Sequence, residues 1–135
     1  MDVEVRVRVA ADADIVTARQ EGRRVAGMLS FSSSDLTVIA AAISEVARNI
    51  ITYAVEGEVR VAVVERNGRR GVTIVARDEG PGIEDVALAL RDGFSTSGSL
   101  GLGLPGARRL VDELEIDSAP GRGTLVTMRK WERRP

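Results

Sequence analysis

The sequence predicts an α+β fold: a two-layer α/β sandwich in which one mixed, mostly antiparallel sheet carries its helices on one face. Three observations predict it. Apolar residues alternate with charged ones at the start of the chain, and strand-like runs return later as two pairs. Asn67-Gly68 joins the first of those pairs, the strongest short-range signal for an antiparallel hairpin. The helical stretches are gathered two by two, giving the order β-α-α-β-β-α-α-β-β, which argues for segregated layers and not for a doubly wound parallel sheet. At 135 residues the chain is read as one domain, 1–135, long enough to bury a single core.

Each element has its own signal. Val3, Val5, Val7 and Val9 alternate with Glu4, Arg6 and Arg8, as a strand with one buried face does. Asp14 is placed to cap a helix running to about Leu29, with Ile15, Ala18, Gly22, Val25, Ala26 and Leu29 on one side. After the polar break Ser32–Ser34, a second helix is expected from Asp35 to about Thr52, its apolar stripe made by Leu36, Ile39, Ala40, Ile43, Ala47 and Ile50. Glu58–Arg66 and Gly71–Arg77 are β-branched runs either side of the Asn-Gly turn. A short helix is expected over Asp85–Arg91, and another from Leu104 to about Glu113. Leu114–Ser118 and Thr124–Trp131 read as strands around the turn APGRG, and the closing WERRP reads as a solvated tail.

Composition narrows the chemistry. The chain has no cysteine and no histidine, which excludes thiolate and imidazole catalysis and the zinc sites built on them. A net charge of −1 and 3% aromatic residues argue against a nucleic-acid partner. The N-terminus MDVEVRVRVAADAD lacks the features of a secretory signal, and the longest apolar run, Val38–Ile43, is too short to span a bilayer. The expectation is a soluble, cytoplasmic protein with no membrane partner. Its chemistry must come from carboxylates, amides, hydroxyls, arginines, backbone N–H groups or a bound metal.

Three stretches offer that chemistry. In ISEVARNI, Glu45 and Asn49 are four apart on a helix and share a face beside the apolar stripe. They are either a solvated helix face or a carboxylate that takes a proton beside an amide oxygen suited to Mg²⁺, a hard cation. In DEGPGI, Asp78 ends a strand whose alternation directs it inward, followed by Gly80 and Gly82. A turn alone explains D-x-G-x-G; alternatively a buried aspartate meets an adenine amino group and the glycines let the backbone approach a flat ring. GFSTSGSLGLGLPGARRL is glycine-dense and runs into a helix, yet has no lysine of the kind that closes a phosphate-binding P-loop.

The order of these pieces, with Gly121–Thr124 before the last strand, resembles the ATP-binding domain shared by gyrase, heat-shock chaperones, histidine kinases and MutL, the GHKL superfamily with its Bergerat fold. That resemblance spans Glu45 to Thr124 and accounts for the missing lysine, since in this superfamily lid amides and Mg²⁺ carry the phosphate charge. Within it, AISEVARNI, DEGPGI, DGFSTSGSLGLGLPGARRLVDE and the closing KW resemble the RsbT-type serine/threonine switch kinases. Sister anti-sigma-factor kinases tend to carry an arginine just before the lid glycines, where this chain has Ser97-Gly98-Ser99.

The resemblance implies cofactors ATP and Mg²⁺, with Glu45 as general base, Asn49 as Mg²⁺ ligand and Asp78 reading the adenine N6 amino group. Gly80 and Gly82 would shape the adenine pocket; Gly101, Leu102, Gly103 and Leu104 would line the phosphates; Thr124 would support the base edge. Thr96, Ser97, Ser99 and Arg108 are candidates for the γ-phosphate. It also implies STAS-domain partners in a stressosome as phosphoacceptors and the regulatory region of a PP2C-type phosphatase as a second partner, in control of a sigma factor or stress response. Arg23-Arg24 and Arg108-Arg109 are read as solvated surface with a possible contact role. Two other functions stand beside this one: an anti-sigma factor that sequesters a sigma factor directly, and a nucleotide-dependent binding module without useful kinase activity.

Overall fold

A computed structural model of the chain describes residues 3–82 and 104–133. Strand β1 (Glu4–Val9) is followed by helices α1 (Asp12–Ala26) and α2 (Ser33–Tyr53), then strands β2 (Gly57–Arg66) and β3 (Arg69–Asp78). Helix α3 (Leu104–Leu110) and strands β4 (Glu113–Ser118) and β5 (Thr124–Trp131) complete the described elements. The strands form one sheet in the order β1-β2-β3-β5-β4. All four pairings are antiparallel, so among the described residues the sheet is not mixed. The helix expected over Asp85–Arg91 lies outside the described residues.

Local chemistry sets the boundaries. Asn67 and Gly68 adopt φ of 54° and 77°, the left-handed pair that a two-residue hairpin of right-handed twist requires. Ser32 caps α2, its hydroxyl accepting the Asp35 N–H at 3.1 Å. Asp14 is not the cap of α1 but its third residue; its carboxylate reaches back to the N–H groups of Ala10 and Ala11 at 2.8 and 3.0 Å. These are the N–H groups of the N-cap residue and the residue before it, so Asp14 closes the helix entrance from inside and a start read from it falls three residues late. Helix α3 stops at Leu110, and the residue expected to end it, Glu113, opens β4.

The core lies between the sheet and the helices. Val9, Val59, Val61, Val72, Ile74, Ala76, Val126 and Met128 project from alternate strand positions onto Ile15, Ala18, Val25, Ile39, Ile43, Val46, Ala47, Ile50, Leu104 and Ala107. Gly22 lets this contact close: a Cβ there would lie 2.3 Å from Cδ1 of Ile43, which would have to turn aside, so α1 approaches α2 through a gap in its own surface. Helix α2 is long and apolar enough to cross a membrane by length and composition, but its stripe is the centre of this core. The opposite face of the sheet is polar and paired across strands, with Arg6–Glu58 at 3.6 Å, Arg60–Glu4 at 3.5 Å and Arg66–Glu113 at 2.7 Å. There Trp131 lies under the Arg66 guanidinium, 4.7 Å from its centroid, and its indole N–H donates to Glu113 at 2.7 Å.

The end of the chain is not the solvated tail expected of it. Trp131 is buried, and the Glu132 carboxylate accepts from Arg70 at 3.0 Å and from the Ser30 N–H. Arg133 spans both oxygens of Asp35, at 3.3 and 3.4 Å. These partners are some 60 to 100 residues away in sequence, so no local pattern announces them. Residues 134 and 135 lie outside the described residues.

Candidate active site

One row of residues crosses one end of the sheet. Gly57, Asp78, Thr124 and Ser118 are successive partners on β2, β3, β5 and β4. Strand alternation places Asp78 on the helix side, two positions beyond Ala76 and four beyond Ile74, as expected from the sequence. The residue is 8% exposed. Its Oδ1 accepts the Gly80 N–H at 2.8 Å. Burial pushes the carboxyl above its usual range, and the backbone N–H groups of Gly80 and Thr124 draw it part of the way back. Among the described residues no lysine or arginine pairs with it.

Thr124 is buried beside Asp78, its hydroxyl 2.8 Å from that of Ser118. Ser118 donates its one proton to the Gly123 carbonyl at 2.9 Å, so the hydrogen between the two hydroxyls belongs to Thr124. Ser118 therefore fixes the Thr124 rotamer. It was not singled out in the sequence, although its place at the end of a strand opposite Thr124 follows once the last hairpin is drawn.

The glycines after Asp78 have protein neighbours. A Cβ on Gly80 would lie 2.8 Å from that of Ala54 and 3.1 Å from the Tyr53 carbonyl at the end of α2. Gly82 has a φ of 80°, and a Cβ there would meet the Ala119 carbonyl at 2.1 Å. The Gly121 N–H donates to the Pro81 carbonyl at 2.7 Å, joining this loop to the β4–β5 turn. The D-x-G-x-G segment is thus clamped between the end of α2 and the last hairpin. That close packing demands glycine at both positions, whatever occupies the space beyond. A cavity of about 250 Å³ opens at this end of the sheet, lined by Asp78, Glu79, Ser118 and Thr124 together with Arg77, Asp117, Arg122 and Leu125, and by no residue of α2.

Helix α2 carries the other candidates to the same end. Ile50 packs over Gly57, where a Cβ would lie 2.9 Å from Ile50 Cγ2, and Gly57 is the partner of Asp78. Asn49, the preceding residue, therefore belongs to the turn of α2 above the Asp78 row, and Glu45 lies about 6 Å further along the axis. Both are half-buried. The Glu45 side chain is only 16% exposed and pairs with Arg48, whose Nη1 donates to Oε1 at 2.8 Å. Desolvation raises the Glu45 carboxyl, and the Arg48 charge and hydrogen bond oppose it. Arg48 was not singled out in the sequence, though an oppositely charged residue three positions along a helix is a signal of such a pair.

Of the remaining candidates, Leu104 has its side chain in the core, Arg108 is exposed on α3, and Thr96, Ser97, Ser99, Gly101, Leu102 and Gly103 lie outside the described residues. Arg23 is exposed, and Arg24 pairs with Glu21 at 2.8 Å.

The model of the histidine kinase-like ATPase domain matches residues 9–130. The chain belongs to this family. Among histidine kinase-like ATPases it is 49% identical over 127 residues to the serine/threonine-protein kinase RsbT of Bacillus subtilis, covering 94% of this chain and 96% of that one. It is 33% identical over 111 residues to an anti-sigma F factor of Thermoanaerobacter, covering 78% and 77%. A mycobacterial sensor histidine kinase, MprB, superposes with a TM-score of 0.59 at 21% identity over 98% of this chain, a likeness of fold. This histidine kinase-like ATPase is an RsbT-type serine/threonine-protein kinase, and its fold is that of the GHKL superfamily.

Among the described residues no three acidic side chains converge on a metal position. The Asn49 amide oxygen suits Mg²⁺ that takes its other ligands from nucleotide phosphates and water.

Proposed function

We propose that this kinase transfers the γ-phosphoryl group of Mg²⁺-ATP to a serine or threonine of a STAS-domain partner, and that the single domain 1–135 carries the whole activity in the cytoplasm. Asp78 accepts the adenine N6 amino hydrogen, and Thr124, its rotamer fixed by Ser118, supports the base edge. Gly80 and Gly82 hold the Asp78 loop against α2, Asn49 ligates the metal, and lid residues Gly101, Leu102, Gly103 and Leu104 line the phosphates. Bound Mg²⁺ would supply charge neutralisation at the phosphate oxygens. Glu45 accepts the proton of the acceptor hydroxyl as its oxygen bonds to the γ-phosphorus and the bond to the ADP oxygen breaks, so catalysis is mostly positioning.

The observation that carries this reading is the row Gly57–Asp78–Thr124–Ser118 with the Asn49 turn of α2 packed above it. It supports a base-reading carboxylate at the end of the sheet with the transfer chemistry on the helix packed above it. The RsbT likeness supports the choice of a switch kinase, which after transfer leaves its partner and binds the regulatory region of a PP2C-type phosphatase. The anti-sigma F likeness supports the alternative of a direct sigma-factor partner. Glu45→Gln is the test. It is expected to bind ATP as the wild type does while transferring phosphate about 10²- to 10⁴-fold more slowly. An unchanged transfer rate would remove Glu45 from the base role.

A further inference from the structure

Glu45, Arg48 and Asn49 are spaced i, i+3, i+4 and form one polar face of α2 beside its buried stripe. Two of the three have a role in the proposed reaction; Arg48 has none. Its geometry is nonetheless specific. The guanidinium Nη1 donates to one carboxylate oxygen of Glu45, Oε1, at 2.8 Å. The Glu45 side chain is largely covered at 16% exposure, whereas Arg48 is half open at 51%. An ion pair so exposed on its cationic side adds little to the stability of a helix, so a stability role does not explain it.

We propose that Arg48 is a positioning residue for Glu45: by holding Oε1 it fixes the carboxylate rotamer and presents Oε2 to the acceptor hydroxyl. The inference rests on the base role assigned to Glu45. A carboxylate on a three-torsion side chain samples many orientations, and a base must lie within hydrogen-bond reach of the proton it takes. A donor on the next turn of the same helix removes that freedom before the acceptor arrives, without occupying the oxygen that does the work. The pair also keeps a cation beside a half-covered carboxylate, which opposes the cost of its burial.

The role predicts a split between binding and turnover. Arg48→Met removes the donor and keeps the aliphatic stem. Its kcat for transfer to a STAS-domain protein of the host is expected to fall about 10-fold, with KM for ATP and thermal stability unchanged. Arg48→Lys, which restores a donor and a charge, is expected to recover most of that loss. The same pattern is expected in the slow hydrolysis of Mg²⁺-ATP by water, read without any acceptor. In the Glu45→Gln background the Arg48→Met change should add no further loss, because the group it positions is gone. Loss that multiplies in the double variant, or a wild-type kcat in Arg48→Met beside a slow Glu45→Gln, would overturn the positioning role alone. A wild-type rate in Glu45→Gln would overturn the base assignment and this role with it.

Discussion

Two aspartates of this protein are buried at opposite ends of the helix that carries its chemistry, and they are buried differently. Asp35, 4% exposed, sits in the first turn of α2. Its negative charge faces the positive end of the helix dipole, and Arg133 spans its two oxygens. Asp78, 8% exposed, sits beside the last turn of α2 and has backbone amides alone for partners, with no cation among the described residues. A charge matched within the protein is a fastening. A charge left to amides, with its carboxyl pushed up by burial, is a group whose best partner has yet to arrive. The same contrast separates the C-terminal end, where Glu132 and Arg133 each have a charged mate, from the Asp78 end, where a carboxylate beside an open cavity has none among the described residues.

The contrast can be broken from either side. Asp78→Asn replaces an acceptor by a group that presents donors to the adenine amine, and ATP affinity measured by calorimetry is expected to fall about 10- to 100-fold. Without nucleotide the same variant should lose no stability. Because burial raises the Asp78 carboxyl, the wild type holds that group's stabilising contribution below the ordinary carboxylate range and loses it as pH rises through the raised value. Asp78→Asn does not titrate, so its melting temperature at neutral pH should equal or exceed the wild type's, and the advantage should shrink on acidification. Equal destabilisation at every pH would mean that Asp78 is another fastening.

Asp35→Asn should do the reverse. Loss of the dipole and Arg133 terms is expected to cost about 1–2 kcal/mol in denaturant unfolding, with ATP affinity of the folded protein unchanged. Arg133→Met is the smallest effect, under about 1 kcal/mol, because the arginine side is 80% exposed and screened. A nucleotide defect in either variant would show that the two ends of α2 are coupled and not separate.

Much of this contrast was legible in the sequence, and the part that was not has a common cause. The inward direction of Asp78 follows from the period-two alternation of Val72, Ile74 and Ala76, and the hairpin before it from Asn67-Gly68, whose φ values are those the turn needs. Glu45 and Asn49 share a face because the helix dictates it. Asp35, by contrast, was read only as a helix start, and its charged partner is Arg133, 98 residues away. Glu132 likewise depends on Ser30 and Arg70. Gly80 and Gly82 were assigned to a flat ligand ring, yet their tightest neighbours are Ala54 and Ala119, a matter of which elements the sheet brings together. The α3 boundary erred because Leu104, Ala107, Leu110 and Val111 keep helical spacing past the last residue of α3.

The central claim is that the open end of the molecule performs phosphoryl transfer to a protein. Its most direct measurement is affinity capture from host lysate on the immobilised kinase, with Mg²⁺-ATP or without nucleotide, reading the captured proteins by intact mass. The expected result is a STAS-domain protein held without nucleotide, which with Mg²⁺-ATP gains one phosphate and leaves. A sigma factor held in both conditions, with no protein gaining phosphate, would contradict it.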